Sequence, residues 1–411
     1  MRKLKPTVVV IAPLALDRAP ENLGATAKIE VIIGILGDLG FDVHLVDSSH
    51  PLLPPGVLWA RSIYRRPANI EGDLIHWSRP FTIANRRLGK LLNILILTSL
   101  VSRLISLKPS FIWIYNAYAY EGRLALKLAT RCKVPIVLEL EDLPLARIRG
   151  LNPKPYLDEY YFRRLLKKVS MITYVNHVLM KRYDQGDTRK LLLPSILRNE
   201  FLVAGGGLKF SDSRFTLGYF GGLEIDKGAG VLLEALPMIP PTWQLVVTGR
   251  GKLKEQFEAA AIEFPDRLVF LGVVDRDRMT AEMHRCDAIV NPHRPISAMG
   301  DGVFPFKVCE SIAAGALLIS TPLPEIDIDT SRGILFFSGS SRSLVEALVG
   351  SKEFYTAHRT EIEDLRAVVC DRFGRAAVEK GIAEEISHLV SMPLGAQPRV
   401  VSSAPVKASS S

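Results

Sequence analysis

Short apolar runs alternate with amphipathic segments along most of this chain, and that alternation confines it to βαβ units with parallel sheets. In the first half, residues 8–11, 42–46, 111–115, 135–140 and 171–175 read as strands. Helical patterns lie between them over 27–39, 123–130 and 156–168. The rhythm breaks in 199–212, where AGGGLKFSDS is rich in glycine and serine and reads as a linker. It then resumes, with strands at 216–220, 244–248, 268–271 and 288–291 and helices at 229–236, 253–263 and 278–285. The expectation is an α/β protein of two tandem doubly wound Rossmann-like domains facing a cleft. The first spans 1–198, the linker 199–213 and the second 214–375. A helix over 376–395 is expected to cross back toward the first domain. The tail, 396–411, is low in large apolar residues and is expected to be disordered.

A chain of 411 residues, 48% hydrophobic and 23% charged, has enough apolar material for two cores. Its four cysteines are far apart with no CxxC spacing, which excludes a disulfide framework or a cysteine zinc site and suits a reducing, cytoplasmic setting. The N-terminal MRKLKPTVVVIAPLAL has the charge pattern of a leader, but a proline interrupts its apolar run and no cleavage site is clear, so a first strand is the better reading. The run from 91 to 107 is broken by Asn93 and Arg103 and reads as one packed helix rather than a membrane span.

The formal net charge is +9, unevenly spread. Arg61, Arg65, Arg66, Arg79, Arg86, Arg87 and Lys90 cluster in the first third, and Arg163, Arg164, Lys167 and Lys168 follow. Such clusters suit an anionic membrane surface, a polyanionic substrate or simple solvation. No aromatic RNA-binding signature or zinc-finger spacing accompanies them, so nucleic acid is not an expected partner.

Ligands of open α/β sheets sit at the carboxyl ends of the strands. Three loops there stand out in the second half. In GYFGGLEIDKG (218–228), Gly221 and Gly222 follow a strand and let the backbone approach a ligand, with N–H groups able to face an anion. Lys227 precedes the next helix, where ammonium and helix start can act on one phosphate. TGRG (248–251) supplies Gly249, Arg250 and Gly251, a turn able to pass beside a base. In FPFKVCESIAAGALLIST (304–321), Pro305 suits a first helical turn and Lys307 and Glu310 share a helix face. The bland reading is a surface ion pair. The functional one has Glu310 accepting two hydrogen bonds from a vicinal diol such as a ribose. Together the loops suggest a nucleotide site for base, diol and diphosphate.

In their order and spacing, GYFGGL-x3-KG, LVVTGRG, RLVFLGVV, CDAIVNP and FPFKVCESIAAGALLIST resemble the retaining GT-B glycosyltransferases, closest to family 4. The likeness is good over roughly 215–325 and looser over RRLLKKVSMITYVNHVLMKRY in the first half. It implies a hexosyltransferase that moves sugar from a UDP- or GDP-linked donor to a hydroxyl of a glycan or lipid-linked acceptor, with retention. Lys227 matches the lysine on the donor diphosphate, and Glu310 the second glutamate of E-x7-E, which holds the ribose. Gly249 and Gly251 match the loop beside the base, and Pro305 with Lys307 fits a P-x-K-x-x-E subgroup. Lys227 and Glu310 are therefore the catalytic candidates, with Lys307 a second cation.

Departures from the family pattern concern the sugar more than the nucleotide. Gly222 stands where the family commonly has arginine, and Gly302 where the first glutamate falls, with only Asp301 beside it. LLPSILRNEF replaces an asparagine-glycine. Where a histidine often lies near the sugar, VLELEDLP offers Glu139, Glu141 and Asp142, so Glu141, Asp142 and Tyr118 are the acceptor-side candidates. Tyr120 could also stack on a sugar, whereas Trp113 and Tyr115 suit the core. A catalytically weak or inactive nucleotide-sugar-binding subunit is the alternative, with an epimerase or phosphorylase behind it. No metal or cofactor is expected: the D-x-D patterns at 275–277 and 327–329 suit caps, and His284 and His293 are isolated in sequence.

Overall fold

The computed structural model describes residues 5–14, 16, 24–49, 53, 55–70, 72–95, 98–141, 153–184, 186, 188–202, 215–293 and 304–390. The expected disordered tail, most of the linker, Asp142, Asp301 and Gly302 lie outside them.

The first half is built on β1 (Thr7–Ala12), β2 (Asp42–Asp47), a short β3 (Trp59–Ala60), β4 (Ile63–Ile70), β5 (Asp73–Arg79), a short β6 (Thr82–Ile83), β7 (Phe111–Tyr115), β8 (Ile136–Leu140), β9 (Met171–Tyr174) and β10 (Arg189–Leu192). Its helices are α1 (Gly24–Asp38), α2 (Arg86–Leu95), α3 (Thr98–Ile105), α4 (Ala119–Cys132), α5 (Lys154–Leu166) and α6 (His177–Arg182). Eight of these strands form one sheet in the order β10-β9-β8-β7-β1-β2-β5-β4, parallel except for β4 on β5. β1, β7 and β8 are buried almost throughout, as strands covered on both faces must be.

Two features differ from the sequence reading. The run expected as one helix through 91–107 is two, α2 and α3. The basic stretch around Arg61, Arg65 and Arg66 carries an antiparallel extension, with β4 turning back on β5 and β3 pairing with β6. Gly72, at φ +89°, supplies the left-handed turn residue between β4 and β5.

The second half contains β11 (Phe215–Phe220), α7 (Ala229–Ala235), β12 (Trp243–Thr248), α8 (Lys254–Glu263), β13 (Leu268–Gly272), α9 (Arg276–Arg285), β14 (Ala288–Asn291), α10 (Phe306–Ala313), β15 (Leu317–Ser320) and β16 (Leu335–Phe336). Its sheet runs β13-β12-β11-β14-β15-β16, wholly parallel. The order reverses between β11 and β14, which places a crevice at the carboxyl ends of those two strands. α11 (Ser341–Val349), α12 (Ser351–Ala357), α13 (Arg359–Phe373) and α14 (Arg375–Leu389) follow. Val378, Ile382 and Ile386 of α14 belong to the core formed by β1, β2 and α1 of the first half. Arg375 pairs with Asp38 at 2.6 Å. The first residues of the expected linker, Asn199–Phe201, form a 3-10 turn that buries Phe201.

The carboxyl edges of the two sheets face each other, and named contacts define how. Lys28 of α1 is buried against Glu139 (3.2 Å) and Glu141, both at the end of β8, and donates to the Leu193 carbonyl at 2.8 Å. Its ammonium also lies 5.0 Å from the ring of Phe306, the first residue of α10. Glu30 pairs with Arg276, the first residue of α9. The backbone N–H of His177, opening α6, donates to the Glu325 carbonyl at 3.0 Å, and the His177 ring meets the Asp327 carboxylate.

Replacing Lys28 with methionine leaves two carboxylates buried side by side with no ammonium between them. Lys28→Met is expected to cost about 3–5 kcal/mol, the range for breaking a buried ion pair from one side. A lower urea midpoint reads this out, and adding Glu139→Gln and Glu141→Gln to the same chain should recover most of the loss.

Candidate functional site

The crevice between β11 and β14 is shaped by backbone touching backbone. Gly249 adopts φ +139°, and a Cβ there would sit 1.9 Å from the Gly221 carbonyl oxygen. At Gly251 a Cβ would lie 2.4 Å from the Leu223 carbonyl oxygen, and at Gly228 one would lie 1.8 Å from that of Pro292. These glycines let the loops after β11, β12 and β14 pack into one rigid rim. Leu223 N–H donates to the Arg250 carbonyl at 2.8 Å and Gly221 N–H to the Thr248 carbonyl at 3.2 Å.

That last bond corrects the sequence reading, since the Gly221 N–H is engaged within the rim and does not face an anion. Gly222 N–H makes no hydrogen bond to another described residue. Tyr219, at the end of β11, donates its hydroxyl to the Gly222 carbonyl at 2.7 Å and fixes the turn. A Cβ at residue 222 meets only the Lys227 stem, at 3.8 Å, so nothing in the backbone demands glycine where the family pattern has arginine.

Two lysines converge on this turn. Lys227, just ahead of α7, has its Nζ 3.3 Å from Nε2 of His293. Lys307, in the first turn of α10, lies with its Nζ 4.3 Å from the centre of the Tyr219 ring. A Cβ on Gly221 would be 3.5 Å from that Nζ. Burial, and secondly the neighbouring Lys227 ammonium, lower the Lys307 pKa to about 7. His293 was isolated in sequence. It joins the site because β14 lies beside β11, so the residue just past β14 meets the loop that follows β11.

Glu310 stands one turn further along α10. It forms no ion pair with Lys307 among the described residues, which removes the bland surface-pair reading of the motif. Burial pushes its carboxyl above the usual range, opposed by the Arg198 and Arg276 guanidiniums. Pro305 is the N-cap of α10, with extended backbone, rather than a residue of its first turn. A carboxylate held apart from the lysines and two cations at a glycine turn can accept hydroxyl protons and hold a diphosphate separately.

Of the acceptor-side candidates, Glu141 and Tyr118 are described, and neither is brought into this group. Glu141 is engaged with Lys28, and its N–H donates to Asn116 Oδ1 at 2.9 Å. Tyr118 precedes α4 with its ring 5.2 Å from Lys154 Nζ. Tyr120 is buried, as are Trp113 and Tyr115. Asp275 caps α9 by accepting from Arg278 N–H at 2.8 Å, and Asp329 accepts from Ser331 N–H at 2.9 Å. His284 contacts the carbonyls of Ala314 and Glu200.

Comparison with known proteins agrees with this architecture. Residues 214–351 match the family model described as Glycosyl transferases group 1. No curated protein matches the chain in sequence. Among solved structures, sucrose-phosphate synthase from Thermosynechococcus elongatus superposes with a TM-score of 0.70 at 14% identity, covering 94% of this chain and 99% of that one. Anabaena Alr3699/HepE, solved in complex with UDP, gives 0.63 at 14% identity over 93% of this chain and 100% of the other. A structure described as "Trehalose-6-phosphate from E. coli bound with UDP-2-fluoro glucose" gives 0.65 at 12% identity over 94% and 99%. These likenesses extend over both halves and concern the fold. Residues 214–351 are thus similar to the glycosyl transferases group 1, and the whole chain has the GT-B fold.

Proposed function

We propose that the protein transfers a hexose-type sugar from a nucleotide diphosphate sugar to a hydroxyl of a glycan or lipid-linked acceptor, with retention of configuration. The observation that carries this reading is the convergence of Lys227 and Lys307 on the Gly221-Gly222 turn, with Glu310 one turn beyond and unpaired with either lysine. Transfer breaks the bond between the anomeric carbon and the diphosphate, so negative charge grows on the leaving phosphate, where the two ammonium groups stabilise it. Glu310 holds the ribose diol. Gly249, Arg250 and Gly251 form the wall beside the base. UDP in the Anabaena neighbour's structure favours a uridine donor. Retention rests on the motif resemblance to the retaining group.

The domain division at 1–198 and 214–375 belongs to the same proposal, with the first half presenting the acceptor. No described helix is long and apolar enough to cross a membrane. Cytoplasmic work at the inner membrane face is part of the reading, supported by exposed Leu58, Trp59 and Leu88 among the basic residues of the first third. A second reading, a weakly active or inactive nucleotide-sugar-binding subunit, is favoured by Gly222, which leaves the leaving group one guanidinium short of the family pattern.

Calorimetry with UDP and with uridine separates the roles. Glu310→Ala should weaken both ligands by about 2 kcal/mol, and Lys227→Ala should weaken UDP by about 1.5–3 kcal/mol while sparing uridine. Indifference of UDP to both substitutions would sink the site. Sugar transfer or slow hydrolysis of UDP-glucose by a chain that binds UDP excludes the inactive-subunit reading.

The lowered Lys307 pKa sets a pH dependence with a definite sign. Diphosphate binding needs the ammonium form, so above about pH 7 binding takes up a proton. UDP affinity should therefore fall between about pH 7.5 and 9, by up to about tenfold per pH unit. Lys307→Met should bind more weakly at pH 7 and lose that slope. An unchanged slope in the variant would assign the titration to another group.

A further inference from the structure

A second recess lies in the first half, well apart in sequence from the loops just described. It holds about 480 Å³ of open space, part of it continuous with solvent, and Tyr64, Arg79, Phe81, Asn93, Arg103 and Tyr120 are among its walls. Arg79 ends β5, and Tyr120 is the second residue of α4, which follows the carboxyl end of β7. The recess therefore lies at the carboxyl-end edge of the first sheet, on the side of β5.

Its charged groups are both cationic. Arg79 and Arg103 contribute guanidiniums, and its described lining contains no aspartate or glutamate. The Tyr120 hydroxyl is buried and has no hydrogen-bond partner among the described residues, on a side chain only 7% exposed. Burial, with Glu121 and Asp47 nearby, keeps that hydroxyl protonated and thus a donor. The walls are held by bonds of their own. Asn93 Nδ2 donates to the Phe81 carbonyl at 2.5 Å and Tyr64 Oη to the Arg103 carbonyl at 2.9 Å. The Arg103 guanidinium lies 5.1 Å from the Tyr64 ring, at the exposed rim. Phe81 lines the recess and stacks on Trp59 at 6.2 Å, and Trp59 and Leu58 are 52% and 74% exposed.

Two guanidiniums in a lining that holds no carboxylate, with Glu121 and Asp47 set behind Tyr120, favour an anion, and aromatic walls favour one attached to a ring or chain. We propose that this recess is an anion subsite on the acceptor side of the cleft, binding a phosphate or carboxylate carried by the acceptor. The acceptor is then a charged molecule, either a soluble sugar phosphate or a phosphate carried on an apolar chain. The word acceptor rests on the glycosyl-transfer reading, whereas the anion site stands without it.

The test uses the full chain carrying Lys227→Ala and Lys307→Met, so that phosphate is not taken up by the lysines of the second half. Inorganic phosphate, glucose 6-phosphate and dodecyl phosphate below its micellar range are titrated by calorimetry at fixed salt. The expected result is that one of the two organic phosphates binds more tightly than inorganic phosphate. Arg103→Gln and Tyr120→Phe should each weaken it by about fivefold or more, the scale of a charge-assisted hydrogen bond. Arg103 is exposed and Tyr120→Phe removes only an unbonded hydroxyl, so both variants should fold, which a thermal melt checks. Preference for dodecyl phosphate assigns a lipid-linked source, and preference for glucose 6-phosphate a soluble one. Equal binding of all three shows an adventitious ion only and overturns the proposal. So does absence of binding, or affinity that survives in either variant. UDP titrated into the chain with Lys227 and Lys307 intact reports separately on the donor reading.

Discussion

The buried ammonium of Lys28 is the contact on which the relation between the two halves depends. One charge meets Glu139 and Glu141 at the end of β8, the Leu193 carbonyl just past β10 and the face of Phe306 on α10. Glu139 also accepts from the indole N–H of Trp113 at 2.9 Å, so the cluster reaches into the middle of the first sheet. Such a group is costly to desolvate and holds only when every partner is in place. The start of α10 is thereby tied to the first half, and α10 carries both Lys307 and Glu310. Site geometry in one half thus depends on packing in the other.

Charge around the crevice is sorted by distance. Burial, with Lys227 close by, makes Lys307 a weak base. Arg198 and Arg276 act on Glu310 instead, and Arg276 is itself anchored by Glu30 across the cleft. A ligand bearing two phosphates at one end and a diol further along fits this sorting. Binding it relieves the repulsion between the lysines.

The parallel sheets and the glycine turns after their strands were legible because each has a local pattern: apolar runs of strand length, and glycines directly after strands. Glu310 was legible through its spacing from Pro305 and Lys307. What sequence could not show was partnership across long separations. Lys28 and Glu141 are far apart in the chain, and nothing local marks either as an ion-pair member. His293 looked solitary because its approach to Lys227 exists only once β14 lies against β11. The hairpin of β4 and β5 was hidden by arginines that read as a solvated basic cluster. Gly72, with IEGDLIHW around it, was the available signal. The Gly221 assignment failed for a related reason, because its N–H belongs to a neighbouring loop rather than to a ligand.

The placement of α14 bears on how the chain comes to be folded. Val378, Ile382 and Ile386 complete the core beneath β1, β2 and α1. During synthesis the first half emerges long before those residues do, so one flank of its sheet stays uncovered until α14 has followed it. The second half has its own core in Leu217, Val247 and Ile319 and can close earlier. The order of assembly would then run against the order of translation, with the amino-terminal half sealed by α14 after the second half has closed.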